Sequence, residues 1–264
     1  MSATSRHGME SLYVGRLGTG PLSSIAREHL AQEGVVVVVA DDPDSDIGFC
    51  LVIVDDSGER TFITATGTEG TLGTSDLSGV DVASGDCVFL SGYNFVYPKL
   101  GAVITPWVEA LADDVVVALD PGPRVLDIAP DVLRSAMERA DWFLCNAGEA
   151  SKLTGAPDPH DSAPALLEVT GRHGVVVRDG AAGCVVAARG APPLRVDGFS
   201  VEVLDTNGAG DVHNGVFLSE VARGTPISEA AARANAAAAM AIMKFGPATC
   251  PKRDDVSRWY REFS

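Results

Sequence analysis

Short apolar runs alternate along this chain with longer stretches of helical spacing, and that alternation limits the fold more than any other feature. The runs at residues 35–40, 87–91, 115–119, 142–145, 175–178 and 183–187 are four to six residues long and almost wholly apolar. Such runs suit strands buried on both faces. Between them, residues 21–33, 105–112, 129–139, 163–170, 211–222 and 227–244 read as helices, the last rich in alanine, as a buried helix would be. Strands joined through helices make crossover connections, and crossovers produce a mostly parallel sheet. The expectation is an α/β fold in a single domain over residues 1–264.

One stretch interrupts the alternation. Residues 47–54 and 59–65 are β-rich and flank Asp55, Asp56, Ser57 and Gly58, so a hairpin is expected at about 47–65. It reads equally as a small β lid or as a solvent-facing edge of the main sheet. Residues 155–164 hold three Pro and one Gly and read as a surface loop.

Composition excludes several partners. A formal charge of −16 repels phosphate backbones and anionic membranes, so neither nucleic acid nor membrane is an expected partner. No apolar stretch reaches the roughly 20 residues of a membrane span. The first ten residues, MSATSRHGME, lack the apolar core of a signal peptide, which points to a cytoplasmic protein. The five Cys stand singly at 50, 87, 145, 184 and 250, so buried, reduced thiols are expected, with neither disulfides nor zinc.

The chemistry concentrates in VLDTNGAGDVHNGVFL, residues 203–218. Gly208, Ala209 and Gly210 can bring backbone N–H groups close to a phosphate at a helix N-terminus, where the dipole favours negative charge. Asp211 follows at once, placed to take a proton from an attacking hydroxyl beside a transferring phosphoryl group. The same residues also fit a plain tight turn whose acid complements the helix dipole. No Lys-Ser/Thr pair follows the glycines, so this is not a Walker A loop, and the spacing is wrong for a dinucleotide fingerprint.

DTNGAGD resembles the signature of ribokinase-like (PfkB-type) carbohydrate kinases. Other segments follow in that family's order: YVGRLGTGPLSS, LSGYN at 90–94, LDPGPR at 119–124, NAGEASKLTG, RDGAAG at 178–183 and ANAAAAMAIMKFGPATCP at 234–251. The resemblance covers nearly the whole chain. It implies a three-layer α/β/α sandwich with a small β lid, and an ATP-dependent phosphotransferase acting on a sugar hydroxyl. Asp211 would be the base, and Gly208, Ala209 and Gly210 the anion hole. Asn146, Arg178, Gly180, Gly183, Asn235 and Gly246 would lie near the nucleotide. Glu149 would organise Mg2+. Asp205 and Asn207 would border a monovalent-cation (K+) site, with Asn207 standing where the family more commonly has Thr. Gly92 and Asn94, with Asp211, would touch the acceptor. His213 reads either as a substrate contact or as an ordinary helix-face residue. A nucleoside, a keto-deoxy sugar acid or a pyrimidine alcohol is an alternative acceptor, and a non-catalytic nucleotide- or sugar-binding relative is the alternative from another class. A homodimer through the lid is a further implication.

The chain also departs from the family pattern. Members begin with a strand, a substrate-binding Asp, the first lid strands and a Gly-Gly-rich segment ending in Asn, whereas residues 1–11 here resemble the end of the helix that follows these elements. The sequence is therefore expected to be a copy shortened by about three dozen residues, with completion by a partner subunit, or divergence with loss of activity, as alternatives. The absent strand would leave an open sheet edge, and the acceptor would lack a carboxylate anchor.

Overall fold

The computed structural model describes residues 1–54, 60–170 and 172–263. The chain opens with α1 (Ser2–Arg6), β1 (Ser11–Tyr13), α2 (Pro21–Gln32) and β2 (Val35–Val37), then the hairpin strands β3 (Phe49–Val54) and β4 (Arg60–Ala65) and the short α3 (Thr74–Ser78). The body follows as β5 (Cys87–Ser91), α4 (Tyr93–Val96), α5 (Pro98–Glu109), β6 (Val116–Asp120), α6 (Pro130–Arg139), β7 (Trp142–Asn146), α7 (Ala147–Thr154), α8 (Pro159–Thr170) and β8 (Gly174–Arg178). It ends with β9 (Cys184–Ala188), β10 (Leu194–Val196), α9 (Ala209–Ala222), α10 (Ile227–Ile242) and α11 (Arg253–Phe263).

Six strands form one sheet in the order β10-β9-β8-β7-β6-β5. Neighbours from β5 to β8 run parallel, and β9 and β10 return antiparallel. Because side chains alternate along a strand, the apolar runs serve two cores at once. Val117, Leu119, Phe143, Cys145, Val175 and Val177 pack with residues of α5, α6, α7 and α8. Ala118, Trp142, Leu144 and Val176 pack with residues of α1, α9, α10 and α11. The result is the three-layer α/β/α sandwich. Phe217 of α9 meets Trp142 edge-on, with centroids 4.9 Å apart; such a contact contributes about 0.5–1.5 kcal/mol beyond burial. It fixes α9 against the sheet.

The hairpin is a two-stranded sheet of its own, paired from Phe49↔Ala65 to Val54↔Arg60. It is not an edge of the main sheet; the turn residues 55–59 lie outside the described residues. Phe49, Leu51 and Ile63 are about half exposed, so the hairpin stands off the core. β1 and β2 form a separate parallel pair, and β5 is an outer strand of the main sheet with Phe89 exposed. No helix among the described residues is long and apolar enough to cross a membrane.

Local expectations needed correction at several places. Residues 155–164 are not wholly loop, because α8 begins at Pro159. Proline at a helix start sacrifices no hydrogen bond, and the Asp158 carboxylate accepts the His160 N–H at 2.8 Å. Likewise α5 starts at Pro98, seven residues before the expected 105, because Leu100, Ile104 and Val108 already form its buried stripe. The strand expected at 35–40 ends at Val37. All five thiols are free, but Cys50 and Cys87 are exposed: the first lies on the hairpin and the second on the outer strand β5.

The C-terminal helices are held to α9 by one buried carboxylate. Glu220, 1% exposed, accepts hydrogen bonds from Arg253 of α11 (2.8 Å) and from Thr225 (2.9 Å), with Arg233 of α10 at 3.9 Å. Burial opposes ionisation, but these hydrogen bonds and the two guanidinium charges outweigh it and hold the carboxyl below its ordinary 4.5. A depressed folded-state pKa gives stability that is present above the unfolded value and lost as pH falls through the folded one. Glu220→Ala is expected to lose about 2–3 kcal/mol at pH 7, below the 3–5 of a fully buried broken pair because Arg253 stays partly in water. Urea denaturation should show this gap narrowing once pH drops below 4.5.

Candidate active site

Parallel strands present their C-terminal ends along one edge of the sheet, where ligands collect in open α/β folds. Here those ends are Ser91, Asp120, Asn146 and Arg178, aligned by the registers Ser91↔Asp120 and Asn146↔Arg178. The Gly92 N–H donates to the Asp120 carbonyl at 2.7 Å, and a Cβ on Gly92 would fall 1.8 Å from the Pro121 carbonyl oxygen. Only glycine lets these two loops touch. Asn94 follows in α4.

Arg178 is the hub. Its guanidinium donates to Asp120 Oδ2 (3.1 Å), to the Gly210 carbonyl (3.4 Å) and to Asn214 Oδ1, and lies 4.0 Å from Glu149. Asn214 Nδ2 donates to the same Asp120 oxygen at 2.6 Å, and the Gly122 N–H reaches Asp120 Oδ1 at 2.9 Å. The head of α9 is thereby tied to β6 and β8. Neither Asp120 nor Asn214 stood among the expected site residues. The one available signal was an acid closing an apolar strand in LDPGPR.

Asn146 and Glu149 form a reciprocal capping box on α7, each side chain accepting the other's backbone N–H at 2.9 Å. Glu149 is buried, and that burial raises its pKa, with Asp120 adding to the rise against the Asn146 N–H and Arg178. Asp211 is exposed at the head of α9 by surface area, yet neighbouring protein still desolvates its carboxyl. Burial raises its pKa first, then the negative charge of Asp120, with Arg178 opposing.

Gly208 heads α9 with φ +79°, and a Cβ there would meet the Pro247 carbonyl oxygen at 2.3 Å. The Ala209 N–H turns back to the Thr206 carbonyl at 3.3 Å, so helix geometry leaves the N–H groups of Gly210 and Asp211 directed out of the helix end. Alongside, the Asp205 carboxylate accepts from the backbone of Asn207 (2.9 Å) and Gly246 (3.0 Å), bringing those three residues together. Gly180 and Gly183 flank the turn between β8 and β9, and Gly183 (φ +93°) touches the backbone at Val196. Asn235 is buried behind that turn. His213 is 3% exposed, so it does not face a ligand directly. A cavity of about 510 Å³ between α2 and the hairpin is lined by Tyr13, Leu17, Phe49 and Glu69, but not by Asp211, Glu149 or Arg178.

A divalent ion fits this edge. Glu149 and Asp211 are carboxylates whose burial and mutual proximity to Asp120 penalise the negative charge that a cation would offset. No cluster of three ligating side chains exists among the described residues. The ion would therefore draw most ligands from water and phosphate oxygens, as Mg2+ commonly does.

A family model described as pfkB family carbohydrate kinase matches residues 1–254. The chain is similar to the uncharacterized sugar kinase YegV of Escherichia coli (strain K12), with 30% identity over 96% of this chain and 79% of the relative. Among solved structures, it is similar to an aminoimidazole riboside kinase from Salmonella enterica complexed with aminoimidazole riboside and an ATP analog. That likeness has a TM-score of 0.85 and 21% identity over 98% of this chain and 89% of that one. A fructokinase from Vibrio cholerae O395 in a fructose-, ADP- and calcium-bound form matches with a TM-score of 0.83 and 22% identity, over 98% of this chain and 88% of that one.

Proposed function

Because the chain belongs to the pfkB family of carbohydrate kinases, we propose that it moves the γ-phosphate of ATP to a hydroxyl of a sugar or sugar-like small molecule. The observation that carries this reading is the placement of Asp211 at the head of α9, beside outward-facing N–H groups and next to the hub formed by Arg178 and Asp120. The acceptor oxygen attacks the γ-phosphorus, the bond to the β–γ bridging oxygen breaks, and the hydroxyl proton passes to Asp211. A carboxylate made more basic by its surroundings suits that step.

The N–H groups of Gly210 and Asp211 stabilise charge on the transferring group. Glu149 would hold Mg2+ through water, supplying positive charge to the phosphates. Asp205, Asn207 and the loop at Gly246 would hold K+. Arg178 contributes by fixing the head of α9, since its donors are engaged with protein groups. Gly92 and Asn94 line the acceptor side, and the hairpin of β3 and β4 serves as its lid. The ligands named for the Salmonella enterica and Vibrio cholerae proteins support a nucleotide and a sugar-like acceptor as the substrates.

The test is ADP release by the purified protein with magnesium ATP against pentoses, hexoses, sugar acids and nucleosides. Release that depends on one acceptor class is the expected result. ATP binding with no ADP release from any acceptor would make the protein a non-catalytic nucleotide-binding relative.

A further inference from the structure

The family resemblance implies that Asn235 lies near the nucleotide, yet both polar ends of its side chain are used inside the protein. Nδ2 donates to the Val196 and Asp197 carbonyls, each at 3.1 Å. Carbonyls only accept, so the amide nitrogen must face them, and Oδ1 must face His213 Nε2 at 3.1 Å. Because Oδ1 also only accepts, His213 carries its proton on Nε2. Its Nδ1 is buried without a partner among the described residues. Burial, reinforced by the nearby charge of Arg178, pushes the ring's pKa down to about 3. The imidazole is therefore a neutral donor of fixed direction across the physiological range.

This pair links the two ends of the candidate nucleotide site. His213 lies two residues past Asp211 in the first turns of α9. The segment that receives Asn235 is pressed against the turn at 180–183. A Cβ on Gly183 would lie 2.1 Å from the Val196 carbonyl oxygen, and one on Gly198 would lie 2.4 Å from the Ala181 carbonyl oxygen. With backbones in direct contact, residues 180–183 and 196–198 move as one rim.

We propose that His213 and Asn235 are positioning residues for ATP, a directed hydrogen-bond chain that sets the distance between the head of α9, where the phosphates bind, and the rim at 180–183 and 196–198, where the base end binds. The inference rests on the kinase reading above. It reassigns Asn235 from a direct contact to a residue acting through the rim, and gives His213 a role that ligand contact does not supply.

His213→Phe keeps the ring's volume but leaves the Asn235 oxygen buried without its donor, a loss worth about tenfold or more in an equilibrium. The KM for ATP and the calorimetric Kd for ATP should each rise about tenfold, with kcat within about threefold of wild type and the acceptor KM unchanged. His213→Gln, which restores an N–H donor, should recover most of the affinity. In the intact protein, imidazole nitrogen shifts should show the Nε2–H tautomer without titration from pH 5.5 to 8. That measurement tests the direction of the His213–Asn235 hydrogen bond without depending on the variants' folding. A His213 ring that titrates in this window, or a folded His213→Phe with wild-type ATP affinity, would overturn the inference alone. Wild-type protein that neither binds ATP nor releases ADP would instead remove the kinase reading.

Discussion

Replacing Asp211 with Asn is expected to lower kcat by about 10³-fold or more while ATP binds with near wild-type affinity. The amide keeps the size of the carboxylate but cannot accept the hydroxyl proton, and a positioned general base contributes about 10²–10⁴ in rate. Losing one negative charge beside Asp120 works, if anything, in favour of binding an anionic nucleotide. Single-turnover ADP formation and ATP calorimetry separate the two effects. Turnover that survives the substitution would take Asp211 out of its role. The wild-type pH profile should agree. Because burial and Asp120 hold this carboxyl above its ordinary 3.8, kcat/KM for the acceptor should fall on the acid side with a midpoint above that value.

Gly208→Ala is expected to be the most damaging change outside the proton-transfer step. An alanine at φ +79° pays for the left-handed conformation, and its Cβ would lie 2.3 Å from the Pro247 carbonyl oxygen. No flexible side chain is available to yield, so backbone must shift. We expect a loss of roughly 2–4 kcal/mol in stability. ADP release should fall about 100-fold or more, because displacement of the α9 head by even about 1 Å misaligns the reacting groups. Gly224→Ala is the matched control: φ is +76°, but nothing lies within 4 Å of the added Cβ. It should cost only the conformational term, about 1–2 kcal/mol, with turnover retained. Urea denaturation and ADP release on both variants check the contrast.

The parts of the site readable in sequence are those built from neighbours along the chain. Gly208 to Asp211 form one turn, and the N-x-x-E segment closes on itself as a capping box between Asn146 and Glu149. The central strands were equally clear, because an unbroken run such as Trp142-Phe143-Leu144-Cys145 is stable only with both faces covered. What stayed hidden depends on partners brought close by the fold. Asn214 reaches Asp120 across 94 residues of sequence, and His213 reaches Asn235 across 22. Neither pairing leaves a local pattern. The start of α8 was obscured for a different reason: Pro159 reads as a breaker in composition, but at a first helical position it opens a helix.

The position of α9 in the chain has a consequence for biosynthesis. Asp120, Asn146 and Arg178 leave the ribosome well before Gly210 and Asn214, the α9 groups that Arg178 binds. Until α9 and α10 emerge, the sheet face carrying Trp142, Leu144 and Val176 has no covering layer from them. At the usual pace of translation the interval between Arg178 and the end of α10 lasts roughly 3–13 s. A nascent chain thus spends seconds with one apolar side of its sheet open, and a product stopped before α9 has neither that cover nor Asp211. Chaperone occupancy during synthesis should therefore peak across this interval and fall as α10 completes the second layer.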